Sequence, residues 1–448
     1  MPSAHGLGAW PSPRALVCPR FRFLRPSCHW PPWPWPSSPK GPDMRSLFPA
    51  TLLTLSLASP ALAESWTPAW MASPQAVWAD TSVFETGLPE SIAGATIRQP
   101  LTLGFPAGRI RLVLSNIHGS QPLPVDAATL ARSRGAATVE APQQVLFGGR
   151  PDAVIAPGAE LVSDPVDFAV EAGERVAVTL TFGPEAVAQD FHWDARETSY
   201  MIDADVQAPK ALSEIPARLT LSAVLSDRPA RQVVVAMGDS ITDGNGAPMD
   251  AMARWPDYLA STLASKDIAV VNAGISGGRL LSDGMGRSVL ARLGQDALAL
   301  PSADTLVLLI GTNDIAWPGT PFSPDDAPMR LERLQAGFLQ VAARVQAQGM
   351  QLIIGTVPPF EGALPGTPME ASYWSPEKDA LRRALNDWLR DAEFHDGLVD
   401  FDRVLSAPED DARLNPDHDS GDRLHPGAQG NRAMADAVSA LLLKGQDQ

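Results

Sequence analysis

Cysteine is nearly missing from this sequence: of 448 residues only Cys18 and Cys28 are cysteines, and both precede Met44. Residues 1–43 hold 11 of the 43 prolines and 4 of the 12 tryptophans, with no hydrophobic period running through them. Met44-Arg45, the apolar run 47–57 and Pro60-Ala61-Leu62-Ala63 then follow in order as a charged start, a short hydrophobic stretch and an A-x-A cleavage site. That is the grammar of a secretory signal peptide, which works only at the start of a nascent chain. Translation is therefore expected to begin at Met44, with 1–43 a non-native extension, 44–63 the signal peptide and cleavage after Ala63. The remaining chain has no cysteine, which excludes disulfides, thiol catalysis, cysteine-ligated metal and a lipid-bearing cysteine at the cleavage site. Long hydrophobic runs are missing too. The stretch at 47–57 is too short to span a bilayer, so the expected location is secreted or periplasmic, without a membrane partner. Positive charge is scarce: beyond residue 63 there are 29 Lys and Arg against 50 Asp and Glu, a net of −21. Such a surface repels nucleic acid and anionic lipid. No repeat of fixed period is present.

The chain that is left has two grammars. From 65 to 225, short alternating runs such as Ile110-Arg111-Leu112-Val113-Leu114 and Val176-Ala177-Val178-Thr179-Leu180-Thr181-Phe182 place apolar side chains on one face. Gly148-Gly149, Pro157-Gly158 and Ala172-Gly173-Glu174 break them as turns, the pattern of an antiparallel β-sandwich. The polar stretch Ser226-Asp227-Arg228-Pro229-Ala230-Arg231 reads as a boundary. From 232 to 446, continuous apolar runs at 233–237, 268–271, 306–310, 352–354 and 398–399 have the character of strands buried on both faces. Helical patterns separate them, most clearly Ser375-Pro376-Glu377, an N-cap followed by proline at the first helical position. Strand and helix in alternation predict an α/β fold: a three-layer α/β/α sandwich around a parallel five-stranded sheet, with ligands at the strands' carboxyl ends.

Chemistry-bearing residues sit just after those runs. Gly238-Asp239-Ser240-Ile241-Thr242-Asp243 follows the first, placing a serine at a strand end beside the free N–H groups of a helix start. Asn272-Ala273-Gly274-Ile275-Ser276-Gly277-Gly278 follows the second, and its glycines let backbone approach a ligand. Gly311-Thr312-Asn313-Asp314 follows the third and offers an amide as oxyanion donor. Near the end, Asp422-Arg423-Leu424-His425-Pro426-Gly427 spaces a carboxylate three residues from an imidazole, close enough to fix its tautomer.

These segments, reading GDS, a glycine, GxND and DxxH in that order, resemble the SGNH/GDSL hydrolase superfamily, whose hydrolase domain is flavodoxin-like. The resemblance implies Ser240 as nucleophile, Asp422 and His425 as the other triad members, and an oxyanion hole made by the Ser240 and Gly277 N–H groups and the Asn313 side chain. Gly274 and Gly278 compete with Gly277 for that place. Arg254-Trp255-Pro256, Tyr373-Trp374-Ser375-Pro376 and Ser115-Asn116 are similar to a subgroup of secreted members with an N-terminal β-domain, described as acetylxylan-esterase-like. What this implies is a serine esterase that cleaves short acyl esters, chiefly acetyl, on neutral polysaccharides such as xylan, with no metal or other cofactor.

Other readings compete. Gly274-Ile275-Ser276-Gly277-Gly278 satisfies G-x-S-x-G, the nucleophile elbow of the α/β-hydrolase fold, which would make Ser276 the nucleophile. That reading leaves the segments around Ser240 and Asn313 without roles. His418, between Asp417 and Asp419, is the rival base; its acidic stretch lacks the spacing of a calcium loop. His118, His192 and His395 read as surface or core residues, and Asp239 and Asp314 as loop braces. A lipase or arylesterase of broader acyl range, and an inert glycan-binding protein, are the alternatives at the level of function.

Overall fold

The computed structural model describes residues 65–78, 84–203 and 211–444, all within one compact unit. The expected signal peptide and extension lie outside these residues. In the N-terminal region every strand pairing is antiparallel. A five-stranded sheet runs Thr67–Met71, Leu221–Ser226, Ala107–Asn116 and Ala159–Val162, with Val166–Val170 also paired to Ala107–Asn116. A seven-stranded sheet is centred on Thr96–Thr102, Arg175–Phe182 and Leu123–Arg132. Ile110, Leu112 and Leu114 are fully buried, as are Val176, Val178 and Leu180, so the period-two alternation of the sequence is the inward face of the sheets. A third, small sheet joins Gln75–Ala76, Asp190–His192 and Arg218–Leu219. Ser115 Oγ and the Ile117 and His118 amides all donate to the Asp190 carboxylate, which fixes the start of its middle strand.

The C-terminal region has five parallel strands in the order Ile268–Gly274, Gln232–Gly238, Thr305–Leu309, Gln351–Gly355, Gly397–Val399. Both faces are covered, and alternate residues of a strand serve opposite cores. Val235, Met237, Leu306 and Leu308 pack in the layer of the helices Leu331–Ala347 and Pro376–Asp391. Val234, Ala236, Val307 and Leu309 pack in the layer of Trp255–Leu263 and Ala428–Lys444. Each fully buried Val, Leu or Ile contributes roughly 1.5–3 kcal/mol, which is why these runs are apolar throughout. The helix after Ser375 forms as its cap predicts, with Ser375 Oγ accepting from the Lys378 amide at 3.3 Å. Gln232–Gly238, the first of these strands along the chain, has a neighbour on each side, and the chain crosses in opposite directions to reach them. A crevice therefore opens at the carboxyl ends of the first three strands. The two regions are not separate bodies: Val233 and Ala269 of the parallel sheet belong to the β-region's hydrophobic core.

Candidate active site

The crevice gathers the residues singled out from sequence. Gly238 ends the first strand, where an added Cβ would come within 2.3 Å of Thr242 Oγ1 and 2.4 Å of the Leu309 carbonyl oxygen, so only glycine allows the abrupt turn into the helix Ser240–Asp243. Asp239 caps that helix, its Oδ1 accepting from the Ile241 amide at 3.0 Å. Ser240 thereby stands at the first helical position with its N–H directed out of the helix start. Its Oγ lies 2.8 Å from His425 Nε2, and His425 Nδ1 lies 2.6 Å from Asp422 Oδ2. An ionised carboxylate only accepts, so Nδ1 carries the proton and Nε2 is free to take one from the serine. Asp422 Oδ1 accepts from the Leu424 and His425 amides at 2.9 and 2.8 Å. Burial would raise the Asp422 pKa, but the hydrogen bond and charge of His425, with those amides, hold it at about 2. The loop itself is braced by Asp419 Oδ1, which accepts from the Gly421 and Arg423 amides.

Ser240, Gly277 and Asn313, the three expected donors, line one cavity. Gly274 donates its N–H to Asn272 Oδ1 and Gly278 donates to the Ile275 carbonyl, so both are engaged within the loop. Gly277 lines the cavity with Ser240, and its φ of +69° is the left-handed turn that glycine adopts without strain. Asn313 is held at both ends: Nδ2 donates to the Gly278 carbonyl at 3.0 Å, and Oδ1 accepts from Tyr373 Oη at 2.8 Å. Its second N–H is left for the crevice. Burial pushes the Tyr373 phenol well above its usual range, keeping it a donor. Asp314 takes the Leu280 and Leu281 amides at 2.7 and 3.1 Å, bracing the loop beyond Gly278; burial raises its pKa to about 6 against those hydrogen bonds. Asp239 is raised further, to about 7, again by burial, and its Oδ2 is buried without a partner.

Of the rival residues, Ser276 lines the same cavity and His418 does not. Ser276 Oγ donates to Asp243 Oδ2 at 2.8 Å, and His418 Nδ1 is buried without a partner; neither joins the Ser240–His425–Asp422 chain. What sequence reasoning missed is the wall of the site. The cavity is about 170 Å³ and is lined, beyond the polar groups, by Phe84, Trp193, Met285, Trp317, Phe322 and Leu364. Trp317 and Phe322 stack with centroids 4.6 Å apart, and Phe84 bridges Phe322 and Trp193 at 5.5 and 5.4 Å. Phe84 and Trp193 come from the β-region, and no local pattern marks them. Among the described residues, no group of three or more His, Cys, Asp or Glu converges to hold a metal ion.

Residues 236–433 match the model of the GDSL-like lipase/acylhydrolase family, a span that includes Ser240, Gly277, Asn313, Asp422 and His425. The C-terminal region belongs to this family. It is a carboxylic ester hydrolase domain. Among solved structures, a GDSL-like lipase from Bacteroides thetaiotaomicron VPI-5482 is similar at 20% identity and TM-score 0.36, over 48% of this chain and 89% of that one. An acetylxylan esterase from Geobacillus stearothermophilus is similar at 21% identity and TM-score 0.35, over 48% and 94%. An alpha/beta hydrolase enzyme from the metagenome of Lake Arreo, Spain, is similar at 24% identity and TM-score 0.35, over 48% and 95%. A search of curated proteins gave no match.

Proposed function

We propose that this protein is an exported serine esterase that removes short acyl groups, chiefly acetyl, from neutral polysaccharides such as xylan. The observation that carries the reading is the unbroken chain Ser240 Oγ, His425, Asp422, at 2.8 and 2.6 Å, opposite the donors of Gly277 and Asn313. In the first step His425 Nε2 takes the hydroxyl proton as Ser240 Oγ attacks the ester carbonyl. The negative charge on the carbonyl oxygen is met by the Ser240 and Gly277 N–H groups and the Asn313 amide. The imidazolium, held by Asp422, then gives its proton to the departing alcohol, and an acyl-enzyme remains. Water, deprotonated by the same His425, attacks it, and Ser240 recovers its proton as the acid leaves. With the donors and base all in place, an inert glycan-binding role leaves the arrangement without a use.

The substrate follows from size, walls and charge. A cavity of about 170 Å³ is small beside the roughly 300–1,000 Å³ that hold drug-sized ligands, which favours acetyl or propionyl over long chains. Aromatic faces such as Trp193 and Trp317 suit the apolar faces of sugar rings as well as an aryl alcohol, so an arylesterase is the second reading. The acidic net charge of −21 beyond residue 63 disfavours polyanionic polymers and anionic lipid surfaces. The test is a chain-length series of p-nitrophenyl esters beside acetate release from acetylated xylan. Highest kcat/KM on acetate or propionate, with acetate released from xylan, is the expected result. Activity confined to aryl esters would favour the arylesterase, and a preference for eight carbons or more would mean a lipase.

A further inference from the structure

A second hydrogen-bonded chain runs behind the site, and it starts in the β-region. His192 ends the strand Asp190–His192 and is buried. Its Nδ1 lies 2.9 Å from the Ser73 carbonyl oxygen and its Nε2 lies 2.9 Å from Asp243 Oδ1. Asp243 is the last residue of the helix that begins with Ser240. Its other oxygen accepts from both the N–H and the Oγ of Ser276, each at 2.8 Å. Ser276 immediately precedes Gly277. A single buried carboxylate thus ties the nucleophile's helix to the oxyanion loop, and a single imidazole from the β-region holds that carboxylate. The Ser73 carbonyl can only accept, so Nδ1 carries a proton, and an ionised Asp243 would take a hydrogen bond from a second proton on Nε2, making the ring an imidazolium. The charges around it agree. Burial opposes protonation and Arg254 opposes it too, while Asp243 and the Ser73 carbonyl favour it, and the net direction is upward. Asp194 is a further acid nearby, and Arg292 reaches Ser73 Oγ at 3.4 Å. Two more β-region groups grip the same loop: Gln75 Nε2 and Trp78 Nε1 donate to the Met285 carbonyl at 2.8 and 2.7 Å, and Met285 packs where a Cβ on Gly277 would be.

We propose that His192 is a positioning residue for catalysis: through Asp243 and Ser276 it sets the Gly277 N–H against the oxyanion. The proposal rests on the esterase reading of the same site. A misplacement of about 1 Å can cost on the order of 10²-fold in rate. His192→Ala is therefore expected to lower kcat roughly 10- to 100-fold with KM little changed, and Asp243→Asn to do the same. Because the loss is of transition-state stabilisation, the Ki of a boronic acid that forms a tetrahedral adduct on Ser240 should rise by a similar factor. A merely structural role would lower the yield of folded enzyme without this matched change. In the unaltered protein, nitrogen-15 NMR should show a buried imidazole with protons on both nitrogens at pH 7, a readout that needs no turnover. Folded His192→Ala or Asp243→Asn with wild-type kcat and boronate affinity would overturn the proposal. So would a neutral His192 ring in the unaltered protein, even where the variants fail to fold. Absence of esterase turnover in the wild type, with the doubly protonated ring present, would instead count against the esterase reading.

Discussion

Asn313 shows how much a single side chain is constrained here. Its carbonyl end is fixed by Tyr373 and one amide proton by the Gly278 carbonyl, so the remaining proton has one direction in which to point. Such a donor is in place before charge develops and spends nothing on reorganisation during the reaction. Asn313→Ala is expected to lower kcat by roughly 10²–10³-fold, with KM for p-nitrophenyl acetate nearly unchanged; steady-state kinetics read both. A loss confined to KM would mean that Asn313 binds the ground state. Asn313 was legible in the sequence because Gly-Thr-Asn-Asp follows an apolar strand. Tyr373, sixty residues away, was noticed only within a resemblance, and nothing local says that its hydroxyl meets that amide. In the sequence His192 has the marks of a core or surface residue; it is buried, but its partner Asp243 is brought to it by tertiary packing alone.

Among the elements, the four-residue helix Ser240–Asp243 carries the most for its length. Asp239 caps it, Ser240 opens it, and Asp243 closes it on Ser276. The cap has a cost. Asp239 is buried, and its pKa is raised to about 7. Between about pH 4 and pH 7 the unfolded chain has lost this proton while the native state keeps it, so the native state binds more protons and stability falls as pH rises. Asp239→Asn keeps a capping oxygen and removes the titration. Calorimetry at stepped pH should show the variant's Tm gaining on the wild type from pH 4 to pH 7. A constant difference would mean that Asp239 is ionised in the native state throughout. The five parallel strands were readable as unbroken apolar runs because both of their faces are covered. The strands Gln75–Ala76 and Asp190–His192 have two and three residues, too few for any period, so the small sheet that carries β-region residues to the site left no trace in the pattern.

For the whole molecule, the β-region lines the candidate active-site cavity. It supplies Phe84 and Trp193 to the cavity, Gln75, Trp78 and His192 to the oxyanion loop, and a core that includes Val233 and Ala269. Residues 232–448 expressed alone are expected to be poorly soluble and to lack measurable turnover of p-nitrophenyl acetate. Wild-type kcat in that fragment would show that the β-region is dispensable for chemistry. The sequence's two grammars predict two units; the strands up to Ser226 pair antiparallel and the five-stranded sheet from Gln232 onward is parallel, yet both regions lie in one compact unit. The packing between them depends on side chains far apart in the chain, which no window of sequence brings together.

The identity of the nucleophile decides the account, and covalent labelling tests it most directly. A p-nitrophenyl phosphonate should release one equivalent of nitrophenol, abolish turnover and leave its phosphonyl group on one serine. Trypsin cuts after Arg231, Arg254, Lys266 and Arg279, so Ser240 and Ser276 fall in different peptides. The adduct is expected on the peptide 232–254, at Ser240, with no labelling in Ser240→Ala. An adduct on the peptide 267–279, at Ser276, would contradict that assignment.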